Sequence, residues 1–321
     1  MKYYPMKLQP CYKEYLWGGT KLKTEYGKLD APQVCAESWE LSCHPDGMSY
    51  VQNGCHANKS LKQVIDGDTA GMLGVKYQGN RFPFLVKLID AEKDLSVQVH
   101  PADETANVAE GEQGKAEMWY IVDAKPQSFL YLGFSVRIEE AELRKRAEDG
   151  TICEVLNKVP VKSGDVFYIL PGIIHAVGAG VTIAEIQQNS NTTFRVYDYR
   201  RKDSSGNLRP LHIERAASVM SFEPIVPGEC RGKTVAIFSE FTLTEMFSCK
   251  YFRAYKLDIQ SAATLSTGGD TFHYFLCVDG EGCITCDGVS YPFRRGDSYF
   301  LPAGLGEYTV HGACRALLSR E

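Results

Sequence analysis

The chain has 321 residues, of which 44% are apolar, so a sizeable core is within reach and disorder is not the default. Its formal net charge is −5, with no block of Lys and Arg, which gives no electrostatic support to a nucleic-acid or anionic-membrane partner. No run of about eighteen apolar residues occurs, and Met1 to Pro10 (MKYYPMKLQP) lacks the apolar core of a secretory signal. The eleven Cys follow no small-scaffold spacing and read as reduced thiols of a cytoplasmic protein.

In chain order, the first β signals are Phe84 to Asp90 (FLVKLID), Leu95 to His100 (LSVQVH) and Met118 to Asp123 (MWYIVD), rich in β-branched and aromatic residues. Ile138 to Asp149 (IEEAELRKRAED), closed by Gly150, predicts a helix with a glycine stop. Val166 to Leu170 (VFYIL) returns to strand, and Leu211 to Met220 (LHIERAASVM), after Pro210, predicts a second short helix. The β texture resumes from Phe241, in His273 to Asp279 (HYFLCVD) and Ser298 to Leu301 (SYFL). The single C-x-x-C, Cys283 to Cys286, lies in such a run, where positions i and i+3 face opposite sides. A zinc ribbon would need a second pair.

A weak internal repeat runs through this pattern. Gly164-Asp165 opens GDVFYILPGIIH, and Gly296-Asp297 opens GDSYFLPAGLGE. Upstream, Glu117 and His273 each stand six residues before an Asp that ends a strand, Asp123 and Asp279. Two copies of one β unit follow, separated by a helical stretch near residues 202–230. Such turn-strand-turn repeats suit antiparallel barrels or jelly rolls.

Gln98 and His100 alternate along a predicted strand, so their side chains share one face about 7 Å apart. Glu117 opens the next strand, and His175 follows the turn from Gly164 to Gly172. Two imidazoles, a carboxylate and an amide oxygen form a reasonable ligand set for a divalent metal with open positions. Singly, each residue is more often packed or solvated than functional; it is the set that carries the reading.

At these residues the sequence resembles the type I phosphomannose isomerases, particularly the short bacterial form. The likeness runs through Tyr12 to Leu22 (YKEYLWGGTKL), Ala36 to Gly47 (AESWELSCHPDG), Gly114 to Tyr120 (GKAEMWY) and Glu185 to Arg200 (EIQQNSNTTFRVYDYR). Its most specific stretch is Leu95 to Ala106 (LSVQVHPADETA), which is very close to the family's zinc signature. The resemblance implies a mainly β chain of tandem cupin barrels with a small helical segment between them. Residues 1–230 are expected to form the catalytic metal-binding domain, with N-terminal strands and a helical insertion. Residues 231–321 are expected to form a degenerate cupin without metal. It implies one zinc ion per chain, held by Gln98, His100, Glu117 and His175, and a sugar-phosphate substrate on a monomer or homodimer. It also places Lys87, Ser96, Lys115, Glu185 and Arg195 in or around the substrate pocket. Trp17 and Glu37 lie in family-like motifs without an assigned role.

Two departures stand out. Leu170-Pro171-Gly172 moves the usual cupin proline by one place, although Gly172 and His175 keep their spacing. The second copy carries Glu307 where the first has His175, and Ser261 to Gly269 replaces the Gln-x-His pair. The expected reaction interconverts mannose 6-phosphate and fructose 6-phosphate through an enediolate, with the metal as Lewis acid. Arg195 is expected to stabilise the developing charge; paired with Asp198, it would instead be an ordinary surface arginine. Glu185, Lys115 and zinc-bound hydroxide all remain candidates for the acid-base group. Lys87 and Ser96, or Arg195, are candidates to hold the phosphate. Two other readings compete: another metal-cupin enzyme, since two His and a carboxylate also suit non-haem iron, and a non-catalytic sugar-phosphate-binding cupin.

Overall fold

The computed structural model describes residues 3–105, 112–202, 205–228 and 232–321. Ala106, which ends the zinc-signature segment, and parts of the 202–230 stretch lie outside them. No helix among the described residues is long and apolar enough to cross a membrane.

The chain is mainly β and carries two cupin copies, each in a compact unit of its own. A central unit comprises Glu14–Gly19 and Ile89–Cys230, and a second unit comprises Met1–Lys13, Thr20–Leu88 and Arg231–Glu321. The second unit resumes at residue 231, and most of the N-terminal segment groups with the C-terminal copy rather than with residues 89–230. The reason is strand pairing. Met6–Gln9 lies antiparallel to Ser298–Leu301, with Met6 opposite Phe300. A buried ion pair adds to this, with Lys28 Nζ 2.8 Å from Glu40 Oε2 and 2.6 Å from the Gly296 carbonyl.

In the central unit, a five-stranded antiparallel sheet runs in the order Leu156–Pro160, Phe129–Phe134, His175–Val177, Val97–Val99, Phe194–Tyr197. A second sheet is built on Glu117–Ala124, flanked by Val166–Ile169 and Val181–Gln188. Helix Glu140–Asp149 ends at Gly150, whose φ of +81° fits the left-handed cap expected of that glycine. It begins two residues later than Ile138, which is buried beneath it. The second helix is Ile213–Val219, a little shorter than expected. Both helices pack on the outer face of the five-stranded sheet. Val97, Val99, Ala176, Phe194 and Val196 form one cluster there with Leu143, Ala147, Ala216 and Met220. Because strand side chains alternate, this backing turns Gln98, His175 and Arg195 toward the opposite face.

In the second unit, His273–Cys286 is the central strand and pairs with Ser298–Leu301, Cys314–Arg320, Glu307–His311 and Val289–Arg294. It is longer than expected, because the chain continues past Asp279 through Gly280 without leaving the sheet. Cys286 is buried in the core of this copy, and Cys283 is half-buried on the other face. Sequence reasoning missed helices Leu61–Gly67 and Thr69–Leu73. The first announces itself by a capping box, Ser60 with Gln63.

The repeat is real in three dimensions. Gly164 and Gly296 both sit at positive φ, +94° and +90°, and each precedes an Asp that closes its turn. Asp165 accepts from the Lys162 amide at 2.9 Å, and Asp297 accepts from the Arg294 amide at 3.1 Å.

Candidate metal centre

His100, Glu117 and His175 converge inside the central unit, their ligand atoms within 4.8 Å of one another and all three side chains buried. Among the described residues they are the group of His, Cys, Asp and Glu side chains placed to hold a metal ion. Each arrives by strand geometry. Gln98 lies opposite both His175 and Arg195, so the three form one row across three strands. His100 follows two places on, just past the strand end, and its carbonyl accepts from the Gly172 amide at 2.9 Å. Gly172, at φ +84°, thus ties the turn before His175 to the other histidine. The shifted proline leaves that turn intact.

His100 Nε2 lies 3.1 Å from Glu117 Oε1, and His175 Nε2 lies 3.9 Å from Glu117 Oε2. Lys115 Nζ sits 2.9 Å from Glu117 Oε1 and 3.3 Å from His100 Nε2. The His175 ring is oriented by its Nδ1–H, which donates to the Ile173 carbonyl at 2.8 Å. That leaves Nε2 with a free lone pair, buried and without a hydrogen-bond partner. An orphaned ring nitrogen of this kind is costly unless something fills it, and a divalent cation is what it fits.

The charge states agree. Burial, followed by the Lys115 charge, pushes the His100 imidazole down to about 3 against the pull of Glu117. Burial lowers His175 as well. For Glu117, burial by itself would raise the carboxyl, but Lys115, His100 and His175 together hold it well below its usual range. Two neutral imidazoles and one carboxylate are the protonation states a metal needs.

The other expected residues divide into two groups. Lys115 and Glu185 are buried in the central unit, and Trp119 links the cluster to Glu185. Its indole Nε1–H is shared between Glu117 Oε2 at 3.1 Å and Glu185 Oε2 at 2.9 Å. Ser96 is buried two residues before Gln98. Arg195 is half-buried, donates from Nη1 to the Pro210 carbonyl at 2.9 Å, and takes His212 Nδ1 as acceptor for its backbone amide. Its expected alternative partner, Asp198, is bound by Arg201 and lies 3.5 Å from Arg209 instead. Lys87 belongs to the second unit, where its ammonium lies 3.6 Å from Glu37 Oε2 and 5.2 Å from the Trp39 ring centre. Trp119 was legible only as part of a motif. Its place two residues after Glu117, on the same strand face, was the available signal.

Known proteins resemble this chain over nearly its whole length. Residues 6–128 match the model of the phosphomannose isomerase type I catalytic domain, and residues 242–321 match that of the mannose-6-phosphate isomerase cupin domain. The chain is 38% identical over 316 residues to the mannose-6-phosphate isomerase ManA of Bacillus subtilis, covering 98% of each. It is 35% identical over 319 residues to a mannose-6-phosphate isomerase of Streptococcus mutans, again covering 98% of each. A crystal structure of the Bacillus subtilis mannose 6-phosphate isomerase superposes with a TM-score of 0.91, over 98% of this chain and 99% of that one.

Proposed function

This chain belongs to the type I phosphomannose isomerase family and is a mannose-6-phosphate isomerase, and from that premise we propose that it works with one zinc ion through an enediolate. The observation that carries the proposal is the buried His100–Glu117–His175 cluster with its unpartnered Nε2. Gln98 completes the ligand set in this reading, supported by its register opposite His175. A zinc ion bound there would supply Lewis-acid stabilisation of developing oxyanion charge.

The reaction moves one proton between the adjacent carbons C1 and C2 and another between their oxygens. We assign the carbon-bound proton to Glu185, a buried carboxylate oriented by Trp119, or to Lys115, whose Nζ lies beside Glu117 and His100. Arg195 shares a strand row with Gln98, and its guanidinium stays protonated throughout catalysis. It is assigned to the oxyanion or the phosphate, and Ser96 to the phosphate. Lys87 is assigned to substrate on the resemblance alone, and Lys87→Ala should chiefly raise KM. Function then divides at residue 230, with every assigned residue in 1–230 and none in 231–321. None of the ten described cysteines is in a disulfide, which supports a cytoplasmic setting.

A coupled assay of mannose 6-phosphate conversion, before and after chelation and zinc restoration, tests the proposal. Turnover lost to chelator and recovered with zinc is the expected result. Undiminished turnover in fully metal-stripped protein would sink the zinc assignment.

A further inference from the structure

Trp119 is 1% exposed, and a buried indole is ordinarily core packing. Its contacts are not those of a core tryptophan. One N–H is shared by two buried carboxylates, Glu117 at 3.1 Å and Glu185 at 2.9 Å. The ring meets the His175 imidazole edge-on, with centroids 5.4 Å apart and planes at 76°. The backbone register puts Trp119 directly opposite Glu185 and two residues beyond Glu117. One side chain therefore touches a carboxylate of the candidate metal set, one of its imidazoles and a candidate proton carrier.

We propose that Trp119 is a positioning residue that locks Glu117, Glu185 and His175 into a single fixed arrangement. The inference rests on the isomerase reading above and deepens it. With Glu117 Oε2 held by the indole, Oε1 is the oxygen left toward His100 Nε2 and Lys115 Nζ. Glu185 is held by the same donor, so moving it gives up the shorter arm of that shared, buried hydrogen bond. A shorter hydroxyl or amide side chain could not reach both carboxylates while also packing on His175. Hydrogen-bond partners of metal ligands orient them, and losing one typically costs about 10–100-fold in affinity or activity.

Trp119→Phe keeps an apolar ring and removes the donor. Zinc affinity, measured by competition with a chromophoric chelator, should fall about 10–100-fold. Turnover should fall while KM stays nearly unchanged, and the metal-free variant should still fold, unfolding somewhat below the wild type because a buried donor and ring volume are lost. Unchanged zinc affinity and turnover would overturn the proposal and leave Trp119 as packing. If the variant does not fold, the wild-type indole N–H resonance decides, assigned by elimination with Trp17→Phe and Trp39→Phe. It should shift when zinc is added, and a resonance indifferent to zinc would overturn the proposal. Failure of the wild-type protein to isomerise would sink the isomerase reading, yet the affinity difference and the resonance shift would still decide the role of Trp119.

Discussion

The two β copies share a backbone and differ in what stands at four equivalent places. In the central copy Glu117 pairs with Ile169, five residues after the turn glycine, Gly164. In the other copy His273 pairs with Leu301, five residues after Gly296. His175 opens its strand opposite Gln98, and Glu307 opens its strand opposite Ser266. Two residues beyond Gln98 stands His100, and two beyond Ser266 stands Gly268. The set Gln, His, Glu, His thus becomes Ser, Gly, His, Glu. Glu307 is exposed, and the buried His273 Nδ1 has its own partner, the Tyr308 hydroxyl at 2.8 Å. One copy keeps an imidazole nitrogen without a partner, and the other satisfies its imidazole and exposes its carboxylate. The same scaffold carries a candidate metal set in one copy, and a handful of positions make the difference from the other.

The comparison is tested most severely by His100→Ala, which puts a small side chain where the other copy has Gly268. Metal retention and turnover should both fall more than about 100-fold, since even the partners of ligands cost about 10–100-fold. Full metal content and turnover in this variant would dissolve the site. Next in size is Glu185, whose counterpart is Leu318, because Glu185 lies opposite Trp119 and Leu318 opposite Phe275. Glu185→Gln keeps an acceptor for the Trp119 indole and removes one of the two proposed proton carriers. Turnover should drop about 10²–10⁴-fold with metal content unchanged. A loss smaller than that range, measured in steady state, would move the proton transfer to Lys115.

Much of this site was legible because its parts are local and periodic. Gln98 and His100 alternate, Glu117 and Lys115 alternate, and strand alternation alone puts each pair on one face. The backing that makes that face point inward, Ala216 and Met220 behind Val97 and Val99, is long-range and has no local signature. The same holds for Arg195. Its link to the Pro210 carbonyl depends on a chain return that no pattern near residue 195 announces, and Asp198, nearer in sequence, is engaged by Arg201 and Arg209. Grouping most of the N-terminal segment with the C-terminal copy likewise follows from a pairing, Met6 with Phe300, that spans most of the chain. Helix Leu61–Gly67 was different, since its Ser60–Gln63 capping box is written in adjacent residues.

A smaller effect separates the copies through pH. Burial, followed by the Arg320 charge, pushes the His273 imidazole down to about 4. The folded value lies below the unfolded value of about 6.5. The unfolded chain therefore takes up the proton first, so the contribution is full above pH 6.5 and drains away as pH falls toward 4. A gap of about 2.5 units corresponds to about 3 kcal/mol at its limit. His273→Gln retains a polar partner for Tyr308 and does not titrate. Denaturant unfolding of metal-free protein at pH 7 and at pH 4.5 should show a smaller loss for this variant than for the wild type. Equal losses would mean that His273 is not the group held neutral by burial.

The smallest expected effect is also the one that isolates the register argument. Glu307→His restores to the second copy the residue type that stands at His175 in the first. If that one position decided the matter, the variant would take up a further equivalent of metal. The row beside it argues otherwise. Ser266 stands where Gln98 does, and Gly268, where His100 does, has no side chain to offer. The remaining imidazole, His273, is occupied by Tyr308 through Nδ1. Two ring nitrogens, one of them on an exposed strand start, do not make a closed or even a three-ligand site. Metal-to-protein ratio measured by atomic emission should therefore equal that of the wild type. An added equivalent would show that Glu307 alone had extinguished a second centre, and that the Ser and Gly substitutions beside it were consequences rather than causes.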